Sequence, residues 1–242
     1  MNVRSNGETG SPEADPGDGR SATGPVRLPL FPLSTPLFPG MVLPLHIFEE
    51  RYRKLLTDRA GADPMFGIVL TRKGREVGDQ PEIHAIGTSA TMLGIQRHDD
   101  GRSDIAVRGA RRFRVLGTDW TGPYLIADVE WLPDDRTEDD ALQALADQTR
   151  SAMARLVATA ADAGRVPIPD LSLPSDPTDL GFLLSRTLWL NTWERQALLE
   201  LPGSRTRLER LAAIIRREQR LLTTAGASGV PIEHPGARFH PN

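Results

Sequence analysis

Between residues 26 and 132 apolar and polar positions alternate in short runs separated by turn signals, the period-two pattern of half-buried strands. The runs predict strands over 26–31, 41–45, 65–71, 82–96, 104–116 and 124–132. Asp99-Asp100-Gly101 falls between two of them, and its glycine can take the positive φ that a tight hairpin turn needs. A helix is predicted over 45–57, where Phe48, Tyr52, Leu55 and Leu56 share one face. After a polar break at 133–136 the period changes from two to 3.6.

The second region reads as helices. The first starts near Thr137 with Glu138, Asp139 and Asp140 at its positive end and stops at Gly164, and its apolar stripe is Leu142, Leu145, Met153, Leu156 and Ala160. Asp176-Pro177 opens the second, and Asn191 with Glu194 three residues later resembles a capping box for a short third. The last, over 204–222, sets Leu208, Leu211, Ile215 and Leu222 on one side and Arg and Glu on the other. Residues 1–25 are too rich in Gly, Ser, Pro and Asp to bury a core, so a disordered leader is expected there and a flexible tail over 223–242. The domain expectation is thus a leader (1–25), a β subdomain with one helix (26–132), a helical subdomain (133–222) and a tail (223–242).

Composition narrows the chemistry. The absence of cysteine excludes disulfides, thiolate zinc sites and a cysteine nucleophile, and fits a reducing, cytoplasmic setting. No stretch approaches the roughly 20 apolar residues of a membrane span, so no membrane contact is expected. A net charge of -3 gives no global attraction for nucleic acid. Lysine occurs only at Lys54 and Lys73, neither in a Gly-Lys-Ser/Thr context, so a phosphate-cradling loop is missing and both lysines read as solvated. The histidines His46, His84, His98, His234 and His240 lack a His or Cys partner at ligand spacing; His46 with Glu50 is the nearest to a metal pair and reads better as a polar helix entrance. No catalytic residue, cofactor or metal site is therefore expected, and the chain is read as a non-enzyme.

The segment Leu28-Pro29-Leu30-Phe31-Pro32-Leu33, followed by Leu37-Phe38-Pro39-Gly40-Met41-Val42-Leu43-Pro44-Leu45-His46-Ile47-Phe48-Glu49-Glu50-Arg51-Tyr52, resembles the opening of the Lon protease N-terminal substrate-binding domain. Phe66-Gly67-Ile68-Val69-Leu70, Ile86-Gly87-Thr88, the strand Val107-Arg108-Gly109-Ala110-Arg111-Arg112-Phe113-Arg114-Val115, and the helical stretches Gln196–Glu200 and Arg207–Glu218 extend the resemblance to about 27–222. It implies an α+β fold, a PUA-like β pseudo-barrel followed by a C-terminal helical subdomain. It also implies a stand-alone recognition module without the ATPase and peptidase domains: a non-catalytic adaptor in protein quality control that binds unfolded or extended polypeptide segments and passes them to a separate protease.

Two surfaces compete for the binding role. Pro32, Pro36, Pro39 and Pro44 stiffen a ribbon on which apolar side chains either fill the core or line a groove. On that ribbon Met41 and Phe48 are the candidate polypeptide anchors, with His46, Glu49 and Arg51 as a charged rim. The alternative is an RNA-binding PUA-like protein using Arg108, Arg111, Arg112 and Arg114 with Arg97 and Arg102, which Asp99, Asp100 and Asp104 in the same hairpin oppose. Nucleic acid is the weaker of the two partners.

Overall fold

The computed structural model describes residues 24–59, 65–73, 80–134, 139–162 and 172–228. Most of the expected leader, the tail beyond 228, much of the connector after Asp162 and part of the polar break before α2 lie outside these residues. The element order is β1 (Val26–Leu33), β2 (Val42–Ile47), α1 (Glu50–Arg59), β3 (Met65–Lys73), β4 (Glu82–Arg97), β5 (Ser103–Asp119), β6 (Ile126–Trp131), then α2 (Asp140–Asp162), α3 (Pro177–Thr187), α4 (Thr192–Glu200) and α5 (Ser204–Ser228). The fold is α+β, as expected.

The six strands form one sheet in the order β2-β5-β4-β3-β1-β6, with an additional β5–β6 pairing that brings the sheet back on itself. β5 makes this closure. Its first half pairs with β2 on one side, its last residues pair with β6, and most of its length pairs with β4. The result is a pseudo-barrel rather than a regular closed one. Gly101 takes φ 82° in the β4–β5 turn, the left-handed value expected of a hairpin glycine.

Two apolar clusters pack on opposite faces of β1 and β3, one around Phe66, Ile68 and the α1 residues Tyr52 and Leu55, the other around Leu30, Val69, Phe113 and Val129. A third lies among α2 to α5 and includes Leu142, Met153, Leu208, Leu211 and Ile215, residues that helical periodicity assigns to the buried stripes. Phe38, from the Pro-rich ribbon, is fully buried in this third cluster. Its route passes over Gly109, where an added Cβ would run into the Phe38 carbonyl, so only glycine admits the crossing. The ribbon thereby joins sheet and helices.

Strand ends shift by up to three residues, and three helix boundaries differ by three or more from the expected ones. Residues 45–47 belong to β2, and the helix starts at Glu50. Leu43 and Ile47 are buried and Leu45 half-buried while Val42, Pro44 and His46 are exposed, so period two governs this stretch and the helical spacing of Phe48 with Tyr52 is coincidental. Phe48 lies before the helix and is exposed. α2 begins at Asp140, and α5 continues to Ser228. The other two helix starts follow their caps: Asp176 accepts from the Asp179 N–H, with Pro177 in the first turn, and Asn191 and Glu194 form a complete capping box.

Candidate functional site

The ribbon and β2 carry the residues singled out for polypeptide contact, and the structure divides them. Met41 is half-buried and packs against both the helical cluster and one of the sheet clusters. Phe48 is 43% exposed and stacks on His46, with ring centroids 6.1 Å apart. His46 Nδ1 lies 2.6 Å from Asp104 Oδ1, and His98 Nε2 lies 2.7 Å from the other oxygen of the same carboxylate. Hydrogen bonds first from His46 and then from His98 hold the Asp104 carboxyl below the usual carboxylate range. Glu49 and Arg51 pair with each other at 3.0 Å, mostly out of solvent, and the Arg51 guanidinium lies 4.6 Å from the Tyr52 ring centre. Phe48 and His46 therefore form one exposed face, whereas Met41 is half-buried against two clusters and the Glu49 and Arg51 side chains are mostly out of solvent in a pair of their own.

Sequence reasoning passed over Val42, which is 50% exposed on the outer face of β2. It also missed the partnership of Asp104 and His98 with His46. A signal existed: antiparallel registry places Asp104 directly across from His46.

The arginines of β5 have different fates. Arg112 is 1% exposed. Its guanidinium donates to Asp134 Oδ1 (2.9 Å) and to the carbonyls of Leu199 (2.8 Å) and Leu201 (2.6 Å), with a longer contact to Pro202. Arg207, from α5, is fully buried beside it and donates to the carbonyls of Leu198 and Leu201, both at 3.1 Å. The two cations converge on the negative end of α4, where carbonyls have no intrahelical partner. The Phe182 ring lies under both, 5.7 Å from Arg112 and 4.1 Å from Arg207. Burial, reinforced by Arg112, pushes the Arg207 guanidinium down to about 9. Arg111 lies over Trp131, Arg114 faces Glu130 at 3.7 Å, and Arg102 pairs with Asp100 at 2.6 Å. The basic run therefore is not one continuous exposed stripe, and Arg112 is a structural clamp between sheet and helices.

A ring-like sheet with β5 as its spine, a four-helix region clamped to it through Arg112 and a Pro-rich opening segment bridging both is the arrangement on which the comparisons with known proteins bear. The profile of the ATP-dependent protease La (LON) substrate-binding domain matches residues 27–217. The chain belongs to that family. Among full-length relatives, Lon protease 2 of Syntrophobacter fumaroxidans is 28% identical over 204 residues, covering 83% of this chain and 26% of the relative. Lon protease 2 of Herpetosiphon aurantiacus is 29% identical over 205 residues, covering 82% and 24%. The chain thus spans about a quarter of the length of these relatives. Among solved structures, the Lon N-terminal domain protein from Xanthomonas campestris superposes with a TM-score of 0.56 at 28% identity, covering 78% of this chain and 98% of that one. The N-terminal domain of Mycobacterium avium complex Lon protease gives 0.58 at 21% identity, covering 79% and 98%, a likeness of fold. The matched module is the substrate-binding one and not the peptidase. Among the described residues no helix is long and apolar enough to cross a membrane.

Proposed function

We infer that this chain is a polypeptide-recognition module that takes up unfolded or extended segments of other proteins without catalysing their cleavage. Its role is that of a cytoplasmic adaptor delivering such segments to a separate protease. The observation that carries this reading is the match of a substrate-binding family across both sheet and helices, residues 27–217. The binding face is the exposed part of the ribbon: Phe48 is the anchor, His46 and Asp104 form its polar border, and the less exposed Met41, Glu49 and Arg51 adjoin it along the chain. Exposure separates these roles, because an exposed aromatic gains contact area on binding whereas Met41 already spends its side chain on two cores.

The test is fluorescence anisotropy with a labelled, permanently unfolded probe, reduced and carboxymethylated α-lactalbumin. The wild-type chain should retain the probe while hydrolysing neither ATP nor casein. Phe48→Ala should weaken retention about tenfold, the scale of an interface anchor, and leave the melting temperature nearly unchanged. Failure of the wild-type chain to bind the unfolded probe overturns the reading.

A further inference from the structure

β2 stands at one end of the strand order and, among the described residues, pairs only with β5. The direction of its backbone groups follows from one hydrogen bond. The Gly109 N–H donates to the Met41 carbonyl at 2.9 Å, and the next residues, Val42 and Arg108, are direct partners. In an antiparallel ladder this makes Val42 and Arg108 a non-hydrogen-bonded pair, and the pattern then alternates. Leu43 and Leu45 exchange their bonds with Val107 and Ile105, while Val42, Pro44 and His46 turn their N–H and C=O groups to the opposite edge. Two features agree with that phase. Pro44, which has no N–H, occupies an outward position, and the close contact of His46 with Asp104 is typical of a non-hydrogen-bonded pair. Among the described residues no backbone group bonds to Val42, Pro44 or His46 from that side.

The geometry points to this free edge as the place where a polypeptide segment adds as an extra strand, an assignment that rests on the recognition role proposed above. The edge offers two donors, the N–H groups of Val42 and His46, about 13 Å apart at strand spacing, and three acceptors, the carbonyls of Val42, Pro44 and His46. An extended chain supplies both kinds of partner at any sequence. Side chains on the outer face add preference. Arg108 is exposed next to Val42 and forms no ion pair with a described residue, whereas Asp104 at the other end already has two histidines. The occupant is therefore an extended segment with an acidic residue near Val42, two strand spacings or about 10 Å from the Arg108 backbone, and an apolar residue toward Phe48.

Val42→Pro tests the assignment, because it removes an edge-facing donor and no bond to β5. With the unfolded α-lactalbumin probe, Val42→Pro should bind at least about tenfold more weakly than wild type while its melting temperature stays close to wild type. Should that variant lose stability, amide exchange on the wild-type chain decides instead: the N–H groups of Val42 and His46 should become protected when the probe is added, and unprotected amides overturn the assignment. If wild type binds the probe but Val42→Pro binds equally well, the edge falls and the recognition role stands. If wild type does not bind, both fall. A concentration-dependent dimer in sedimentation, abolished by Val42→Pro, would give the edge to a second copy of this chain and likewise overturn the assignment.

Discussion

Replacing Arg112 by leucine removes the clamp between β5 and α4 and leaves its partners in place. Three short hydrogen bonds from one cation are lost, to Asp134, Leu199 and Leu201. A hydrogen bond to a charged group contributes about 1.5–3 kcal/mol, so the gross loss is several kcal/mol. Two effects reduce it. The Asp134 side chain is 18% exposed and regains some water, and Arg207 is freed from a like charge that disfavours its own cation. The net expectation for Arg112→Leu is a loss of about 3–5 kcal/mol, the range for removing one partner of a buried pair. Arg112→Lys should lose nearly as much, since one ammonium cannot reproduce a planar fork reaching a carboxylate and two carbonyls. Arg207→Leu should cost less, about 1–2 kcal/mol, because its two bonds are longer and its burial already works against it. In the double variant the loss should exceed the sum of the two singles, since each single already includes relief of the one repulsion between the two cations and the double gains that relief only once. Urea denaturation followed by far-ultraviolet circular dichroism and by tryptophan fluorescence measures all four. An Arg112→Leu loss below about 1 kcal/mol would refute the clamp as a stabilising device.

Gly109→Ala places a methyl group against the Phe38 carbonyl and should lower the melting temperature by several degrees, consistent with a loss of about 1–3 kcal/mol from overpacking; an unchanged melting temperature would mean that the ribbon can lift off β5 at little cost. Acid should also destabilise the chain. Bonds from the Arg102 side chain, then from its N–H, lower the Asp100 carboxyl to about 2 from an ordinary 3.8, so its stabilising contribution is present above 3.8 and is lost as pH falls through about 2. Asp104 shifts in the same direction through His46 and His98. The melting temperature should therefore fall between about pH 4 and pH 2, and Asp100→Asn should make that fall shallower.

Much of the fold was legible because each element carries its own local signal. Period two located all six strands, and the Asp176-Pro177 and Asn191/Glu194 caps set two helix starts to within a residue or two. The misplaced start of α1 shows where two periodicities overlap. Leu43, Leu45 and Ile47 alternate as strand, and Phe48, Tyr52, Leu55 and Leu56 continue the same apolar run at helical spacing, so nothing within the run marks the change. Pairing with β5 decides it. The half-burial of Met41 was not legible for a related reason: it packs against the helical cluster as well as a sheet cluster, and composition carries no trace of that packing.

The arginine clamp was illegible for a sharper reason, which lies in one extra residue. Arg108, Arg111, Arg112 and Arg114 are alike in type and close in sequence, and simple alternation would keep Arg112 on the exposed side with Arg108. Up to Gly109 the odd-numbered residues of β5 are indeed the buried ones. Between the pairs Ala90↔Gly109 and Thr88↔Arg112, however, β5 spans one residue more than β4, a bulge that reverses the phase. The buried Ser89 hydroxyl accepts from the Arg111 N–H at 3.0 Å and donates to the Arg111 carbonyl at 3.2 Å, which satisfies backbone groups that the interrupted ladder leaves unpaired. Arg112 is thereby turned toward the end of α4, and Phe113 toward the cluster of Leu30 and Val69. The bulge turns Arg112 of a basic strand that invites a nucleic-acid reading into a joint between sheet and helices, while Arg108, ahead of the bulge, stays on the exposed side beside Val42.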